Sequence, residues 1–240
     1  MFSRNNIPPA TQSGFESASI AKNFVSGVFS WMAIALAITS FTAYYFASSP
    51  ALIGSLYTET GMSALGWIVM LSPLGFVLIM SMGFQKFSSG TLTLIFGAFS
   101  IVMGMSLSFI LLVYTTASIF QTFAVTAGMF GVMAFVGYTT KTDLTKFGSL
   151  MMMGLFGIII ASVVNMFLHS GTMDYIISFI GVLVFTGLTA YDVQVLKRIG
   201  AGVEYGTEST KKLMIMGALR LYLDFINLFL FLLRFLGNRR

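Results

Sequence analysis

The sequence predicts an all-α membrane protein, a polytopic bundle of seven transmembrane helices, and three observations support this fold class. Hydrophobic residues make up 57% of the chain and charged residues 9%, whereas a soluble domain carries about 25% charge. The longest uncharged stretch, residues 87–140, holds 54 residues. Because about 20 apolar residues already cross the hydrocarbon core, that stretch must contain two spans. Finally, basic residues fall in alternate linkers.

Apolar runs and the breaks between them define seven candidate spans, at residues 24–47, 62–84, 91–114, 119–140, 147–168, 175–196 and 213–236. We expect helices, because a span must satisfy its own backbone hydrogen bonds and these segments lack the alternation and short length of barrel strands. The short linkers permit only antiparallel neighbours, so residues 23–240 are predicted to form one transmembrane domain. Residues 1–22 offer no apolar face and are predicted to be a flexible cytoplasmic tail.

Orientation follows from lysine and arginine, which collect on the cytoplasmic side of short linkers. Here they occupy the tail and every second linker, as Arg4, Lys22, Lys86, Lys141, Lys146, Lys197, Arg198, Lys211 and Lys212. The intervening linkers carry none, which predicts a cytoplasmic N-terminus. We expect the membrane to be a bacterial inner membrane, with an organelle membrane as the alternative.

The end of the chain disagrees with this pattern, because seven full spans put Arg239 and Arg240 on the other side. Either the last segment is a re-entrant hairpin, or the charges of the earlier linkers outweigh these two. We favour seven spans. The net charge of +5 then reflects orientation and contact with the lipid bilayer. Nucleic acid is not an expected partner, since no aromatic-basic motif is present.

Two aspartates, Asp192 and Asp224, lie inside the last two apolar segments. An ionised carboxylate at bilayer depth costs roughly 2.5 to 3.5 kcal/mol or more, so such groups usually face a bundle interior or a water-filled pathway. A rise of about 1.5 Å per residue puts Asp192 about 7 to 8 Å from Lys197, and Asp224 about 18 Å from Lys212. The two segments are antiparallel and can meet, which predicts a proton-sensitive site.

One face of the last segment is polar, since the residues spaced three and four apart are Gly217, Arg220, Asp224, Asn227, Phe231 and Arg234. Such a helix suits the centre or inner wall of a bundle, although polar side chains also hold helices together without further function. Arg220 stands four residues before Asp224, the spacing of an intrahelical ion pair.

Several motifs near the end of the chain resemble those of the Bax-inhibitor family of membrane proteins (transmembrane Bax inhibitor motif), including its bacterial members. They are Ala190-Tyr191-Asp192, the run LYLDFINLF at residues 221–229, and LLRFLG at residues 232–237. The second is highly specific. Supporting similarity comes from residues 141–144 and 165–167, so the match covers nearly the whole chain after the tail.

This resemblance implies seven helices with the last near the centre, and a pH-sensitive calcium leak. It identifies Asp192 and Asp224 as the pH sensor and as a transient calcium site, with calcium ions and protons as partners and no cofactor. Lys86 lies near the position of a basic residue that latches the closed state in some members, although the local match is poor. Arg220 departs from members with a small polar residue there.

The residues themselves favour weak passage over storage, because calcium takes six to eight oxygen ligands and only two carboxylates and Asn227 are on hand. Two other functions are alternatives to a leak. A non-conducting regulator that binds death factors or membrane proteases is the main alternative. An intramembrane aspartyl protease is disfavoured, because Leu223 and Phe225 flank Asp224 without glycine and Arg220 biases the pair against a shared proton. We therefore expect no enzymatic activity.

Overall fold

The computed structural model describes residues 9–58 and 61–240, with side chains from residue 18 onward. In chain order its elements are α1 (Pro9–Ala47), α2 (Pro50–Leu56), β1 (Tyr57–Thr58), β2 (Gly61–Met62), α3 (Ala64–Gly83), α4 (Ser89–Leu107), α5 (Ile110–Val113), α6 (Thr116–Thr139), α7 (Thr145–Leu168), α8 (Gly171–Ala201) and α9 (Glu208–Leu236). Seven stretches of the described chain are long and apolar enough to cross a membrane: α1 from Ala18, α3, α4 with α5, α6, α7, α8 and α9. The predicted all-α bundle of seven spans is confirmed.

The structure adds detail that hydropathy does not carry. Helix α1 already begins at Pro9, so it includes part of the segment expected to be a flexible tail, whose first eight residues lie outside the described chain. The linker after α1 folds into α2 and the small antiparallel hairpin β1–β2. The third span is interrupted at Ser108 and Phe109, between α4 and α5.

Contacts between linkers define two faces of the bundle. On the first, which we call the basic face, Glu208 at the start of α9 accepts a 2.8 Å hydrogen bond from the Ser89 hydroxyl at the start of α4. On the same face Arg198 binds Asp143 at 2.7 Å. At the opposite face Arg234 binds Asp174 at 3.1 Å. The linkers that carry the lysines and arginines therefore share one face, in agreement with their predicted placement.

Helix α9 runs without a break from the basic face to the opposite face. Beyond it the backbone pairs with the linker between α5 and α6: the Thr115 N–H donates to the Asn238 carbonyl at 3.1 Å, and the Arg240 N–H donates to the Val113 carbonyl at 2.9 Å. These contacts favour a full seventh span over a re-entrant hairpin, because a hairpin would return the end of the chain to the basic face.

Helix α9 lies at the centre and packs against α1, α4, α6 and α8. On its α1 and α4 side Tyr222 is fully buried. Its hydroxyl lies 2.7 Å from the Thr39 hydroxyl, which in turn donates to the Ser100 carbonyl at 2.9 Å. The rings of Phe96 and Phe99 pack edge-on against the tyrosine. This cluster, which we call the tyrosine anchor, ties α9 to α1 and α4.

Candidate functional site

The structure brings Asp192 of α8 and Asp224 of α9 together. The two helices pack along their length, and the aspartates are 2% and 5% exposed. Their carboxyl groups lie within hydrogen-bonding reach of each other.

The hydrogen bonding of the pair is incomplete. Asp192 Oδ1 and Asp224 Oδ2 are buried, and neither accepts a hydrogen bond from any N–H or hydroxyl of the described chain. An ionised carboxylate is only an acceptor, whereas a protonated one also donates. One proton held between the two groups therefore removes their repulsion and satisfies a buried acceptor, whereas two ionised groups leave both needs unmet.

Arg220 of α9 forms an ion pair with Asp192 through its Nε and Oδ2 atoms. Its guanidinium carbon also lies 5.7 Å from the centre of the Tyr191 ring. The intrahelical pair with Asp224 that the spacing predicted does not form, so that prediction is wrong. Helical side chains lean toward the N-terminus of their own helix. That direction carries Arg220 toward the basic face, where Asp192 lies, and away from Asp224.

A cavity of about 970 Å³ lies beside the pair. We call it the aspartate cavity. Its walls come from α3, α7, α8 and α9 and are mostly aliphatic. Among its described lining residues the charged ones are Asp192, Arg220 and Asp224, and the other hydrogen-bonding side chains are Ser81, Ser162 and Asn227. A polar floor thus sits within an apolar chamber at membrane depth.

A second cavity of about 340 Å³ continues toward the opposite face, where Asp174 and Arg234 line it. Both cavities share Ser162, Asn227 and Phe231 as lining residues. The Phe231 ring occupies space that Gly181 leaves free, because a Cβ atom there would lie 2.6 Å from the ring. Phe231 therefore stands between two chambers that follow the polar face of α9.

The remaining predicted residues take different places. Asn227 lines both cavities, and its side-chain amide donates to the Leu223 carbonyl at 2.8 Å. Lys86 lies exposed in the turn between α3 and α4, outside the lining of the aspartate cavity. In the described chain no three His, Asp or Glu side chains converge as a metal cluster. Any metal bound by the pair therefore has few protein ligands.

Sequence reasoning missed several residues of the site. Ser162 and Gly181 gave no signal, since small residues are common in membrane helices for packing alone. Tyr191, which stacks on Arg220, was noticed only as part of a motif. Asp174 could have been found from the sequence, because it is an acidic residue close to the edge of an apolar segment. Arg234 reaches the same depth on the last helix, which predicts the ion pair that the structure shows.

The linker between α6 and α7 is bound to α8 at the basic face. Gln194 accepts from the Leu144 N–H at 2.9 Å and donates to the Thr142 carbonyl at 2.8 Å. Asp143 accepts from the Thr145 N–H and hydroxyl at 2.9 and 2.6 Å. The two hydrogen bonds from Thr145, together with Arg198, hold the pKa of the Asp143 carboxyl well below its usual range.

Fold and site together define a polytopic membrane protein with a carboxyl pair at the floor of an intramembrane cavity. Comparison with known proteins gives the family: residues 21–240 match the model described as "Inhibitor of apoptosis-promoting Bax1", and the chain belongs to this Bax-inhibitor family. The predicted resemblance is confirmed.

Three relatives illustrate the match. Inner membrane protein YbhL of Escherichia coli is 46% identical over 220 residues, which cover 91% of this chain and 93% of that protein. An uncharacterized protein of Borreliella burgdorferi is 44% identical over 92% of this chain and 94% of its own length. Uncharacterized protein RP147 of Rickettsia prowazekii is 42% identical over 91% of both chains. The chain is therefore an integral protein of a bacterial inner membrane, as predicted.

Proposed function

We propose that this protein is a pH-sensitive leak for calcium or a similar cation, controlled by protonation of Asp192 and Asp224. The observation that carries the proposal is the contact between two buried carboxyl groups beside a chamber within the membrane. Intramembrane carboxyl groups of this kind mark ion and proton pathways. The resemblance to the Bax-inhibitor family points to the same activity.

Protonation acts through the distance between α8 and α9. With one proton, the carboxyl groups hold each other by a hydrogen bond, and Arg220 balances the remaining charge. Without it, two carboxylates face each other against one guanidinium, and their repulsion favours separation unless a cation enters. Of the described residues that line the cavity, only these three are charged. The pair is therefore the group through which pH acts on this chamber.

The route that we propose follows the polar face of α9 through both cavities. Asn227 and Ser162 offer oxygen ligands where the chambers meet, and Phe231 narrows the passage there. Calcium ordinarily takes six to eight oxygen ligands. A path with two carboxyl groups and a few neutral oxygens lowers the barrier to entry without trapping the ion, which conduction requires.

The main alternative is a non-conducting protein that regulates death factors or membrane proteases, and the family description supports the first of these two roles. Such a protein acts through surfaces that contact a partner. It does not need a titrating pair inside the bundle, so neutral variants of both aspartates would keep its activity.

Calcium flux into liposomes that contain only this protein, measured across pH, tests the proposal. We expect pH-dependent flux in the wild type and a nearly flat pH profile for Asp192→Asn and for Asp224→Asn, because asparagine cannot titrate. Asp224→Asn should also lower the flux, since this deeper group contacts the passing ion. Asp143→Asn is the matched control, because Asp143 is an exposed aspartate outside the cavity, and it should keep the wild-type profile.

Two outcomes would count against the proposal. Absence of flux from the wild type at every pH would favour the regulatory function. Wild-type pH dependence in both asparagine variants, at equal reconstitution, would remove the pair from the sensor role.

A further inference from the structure

We propose that the aspartate cavity is also a binding site for a single-chain amphiphile with a protonated amine head group, which enters sideways from the bilayer. The inference rests on the walls, the opening and the charges of the cavity. It does not require that ions pass through the protein.

We infer that the cavity opens to the bilayer between α3 and α7. Helix α3 packs on α2 and α4, whereas α7 packs on α8, so the two helices that flank the chamber are anchored on different neighbours. Met152 and Ile159 of α7 line the cavity and are 37% and 51% exposed, so this wall is not covered by another helix. At this depth the surroundings are lipid, so a hydrocarbon chain reaches the chamber without passing through water.

The walls suit such a chain. Aliphatic side chains from four helices surround a volume of about 970 Å³, at the upper end of the size at which protein pockets enclose small organic ligands. Leu155 and Ile158 of α7 line the chamber together with Leu188 of α8 and Leu223 of α9. An alkyl chain can lie along this wall and leave through the gap between α3 and α7.

The floor selects the charge of the head group. Two carboxyl groups stand against one guanidinium, and Arg220 is already paired with Asp192. Both aspartates line the cavity. A primary ammonium has three donors and one positive charge, so at this wall it donates to carboxylate oxygens and balances the second carboxylate. An anionic head group would add an acceptor where acceptors are already in excess.

Ammonium also fits this floor better than a bare divalent metal ion does. It needs two or three acceptors, which the pair and Asn227 supply, whereas calcium needs six to eight oxygen ligands. The apolar walls add attraction for the alkyl chain that an inorganic cation cannot use. The ligand class is therefore a lipophilic primary amine.

Thiol labelling tests the site, because the chain contains no cysteine. Ser81→Cys places one thiol in the cavity wall on α3. Ser149→Cys, on an exposed turn of α7 outside the cavity lining, is the matched control. The purified full chain, in a neutral detergent near pH 7, is labelled with a small maleimide in the presence of dodecylamine, dodecanol or dodecanoate.

We expect dodecylamine to slow labelling of Ser81→Cys at least fivefold, with little effect on Ser149→Cys. Dodecanol and dodecanoate should protect neither position. Adding Asp224→Asn or Leu155→Trp to Ser81→Cys should abolish the protection, the first by removing a carboxylate and the second by filling the wall.

Each other outcome overturns the inference. Equal protection by dodecanol would mean that the cavity binds alkyl chains without selectivity for the charge of the head group. Protection by dodecanoate would mean that Arg220 recognises anions, and no protection at all would mean that amines do not enter. Because flux is not measured, a failure here is distinct from a failure of the proposed leak.

Discussion

The two sides of α9 differ in packing and hydrogen bonding, as Tyr222 and Asp224, only two positions apart, show. Tyr222 points into the tyrosine anchor, where its hydroxyl has a partner at 2.7 Å and aromatic rings fill the surroundings. Asp224 points toward α8 and the aspartate cavity, where one of its oxygens has no N–H or hydroxyl donor from the described chain. One side is packed and satisfied, and the other is open and unsatisfied. In the proposed mechanism, α9 stays fixed to α1 and α4 while its contact with α8 responds to protonation of the pair.

The same contrast separates whole helices. In the apolar stretch of α8, and likewise of α9, 61% of the residues are buried within the protein. The share is 11% in α7 and 17% in α3. The helices that carry the aspartates are thus held inside the bundle, and the helices that close the cavity lie at its edge. Movement of α3 or α7 disturbs less packing than movement of α9, so we expect these edge helices to yield when the contact between α8 and α9 changes.

The largest effect should be a loss of stability when Tyr222 of the tyrosine anchor is truncated. Tyr222→Ala leaves a cavity among Phe96, Phe99 and Thr39, and large aromatic-to-alanine changes at buried sites cost about 3 to 5 kcal/mol. Leu223→Ala, one residue along and facing the aspartate cavity, should cost much less, because that side is already open. Thermal unfolding of both variants in the same detergent gives the comparison. Equal losses of stability would contradict a packed side and an open side.

A smaller effect should follow from changing the charge on the open side. Arg220→Ala removes the cation that favours the ionised pair, so the midpoint of the flux profile should shift to higher pH by about 1 to 3 units. Arg234→Ala is the control, because its partner Asp174 lies at the opposite face. An unchanged midpoint for Arg220→Ala would show that Arg220 does not govern protonation of the pair.

The smallest effect concerns Asp143, whose carboxyl group accepts hydrogen bonds from neighbouring N–H and hydroxyl groups, unlike the unpaired oxygens of the buried pair. The pKa of Asp143 is lowered by hydrogen bonds from Thr145 and by Arg198. Its contribution to stability is therefore present above the usual range of an aspartate and is lost as the pH falls through the lowered value. Asp143→Asn should unfold slightly earlier than the wild type at pH 7, and the difference should shrink in acid. A difference that persists unchanged at low pH would contradict this role.

Hydropathy was sufficient for the seven spans, because the bilayer demands long apolar helices wherever the chain crosses it. It could not foresee the break at Ser108 and Phe109, since the whole span from Ser89 to Val113 is apolar. The encounter of α8 with α9 was predictable from their short linker, whereas the partner of Arg220 was not. The spacing along α9 favoured Asp224 as the ion-pair partner of Arg220. The packing of α8 against α9, which the spacing does not reveal, brings Asp192 to the guanidinium instead. Ser162 and Gly181 act through shape, which composition does not record.

The central position of α9 has a consequence for biogenesis. Synthesis runs from the N-terminus, so the other six spans enter the membrane before α9 does. Until it arrives, Thr39 lacks the Tyr222 hydroxyl, Asp192 lacks its guanidinium, and the backbone at Thr115 lacks the Asn238 carbonyl that accepts its hydrogen bond. The six earlier spans therefore leave these polar groups without their final partners until α9 is inserted, and α9 also brings the second carboxyl group of the pair.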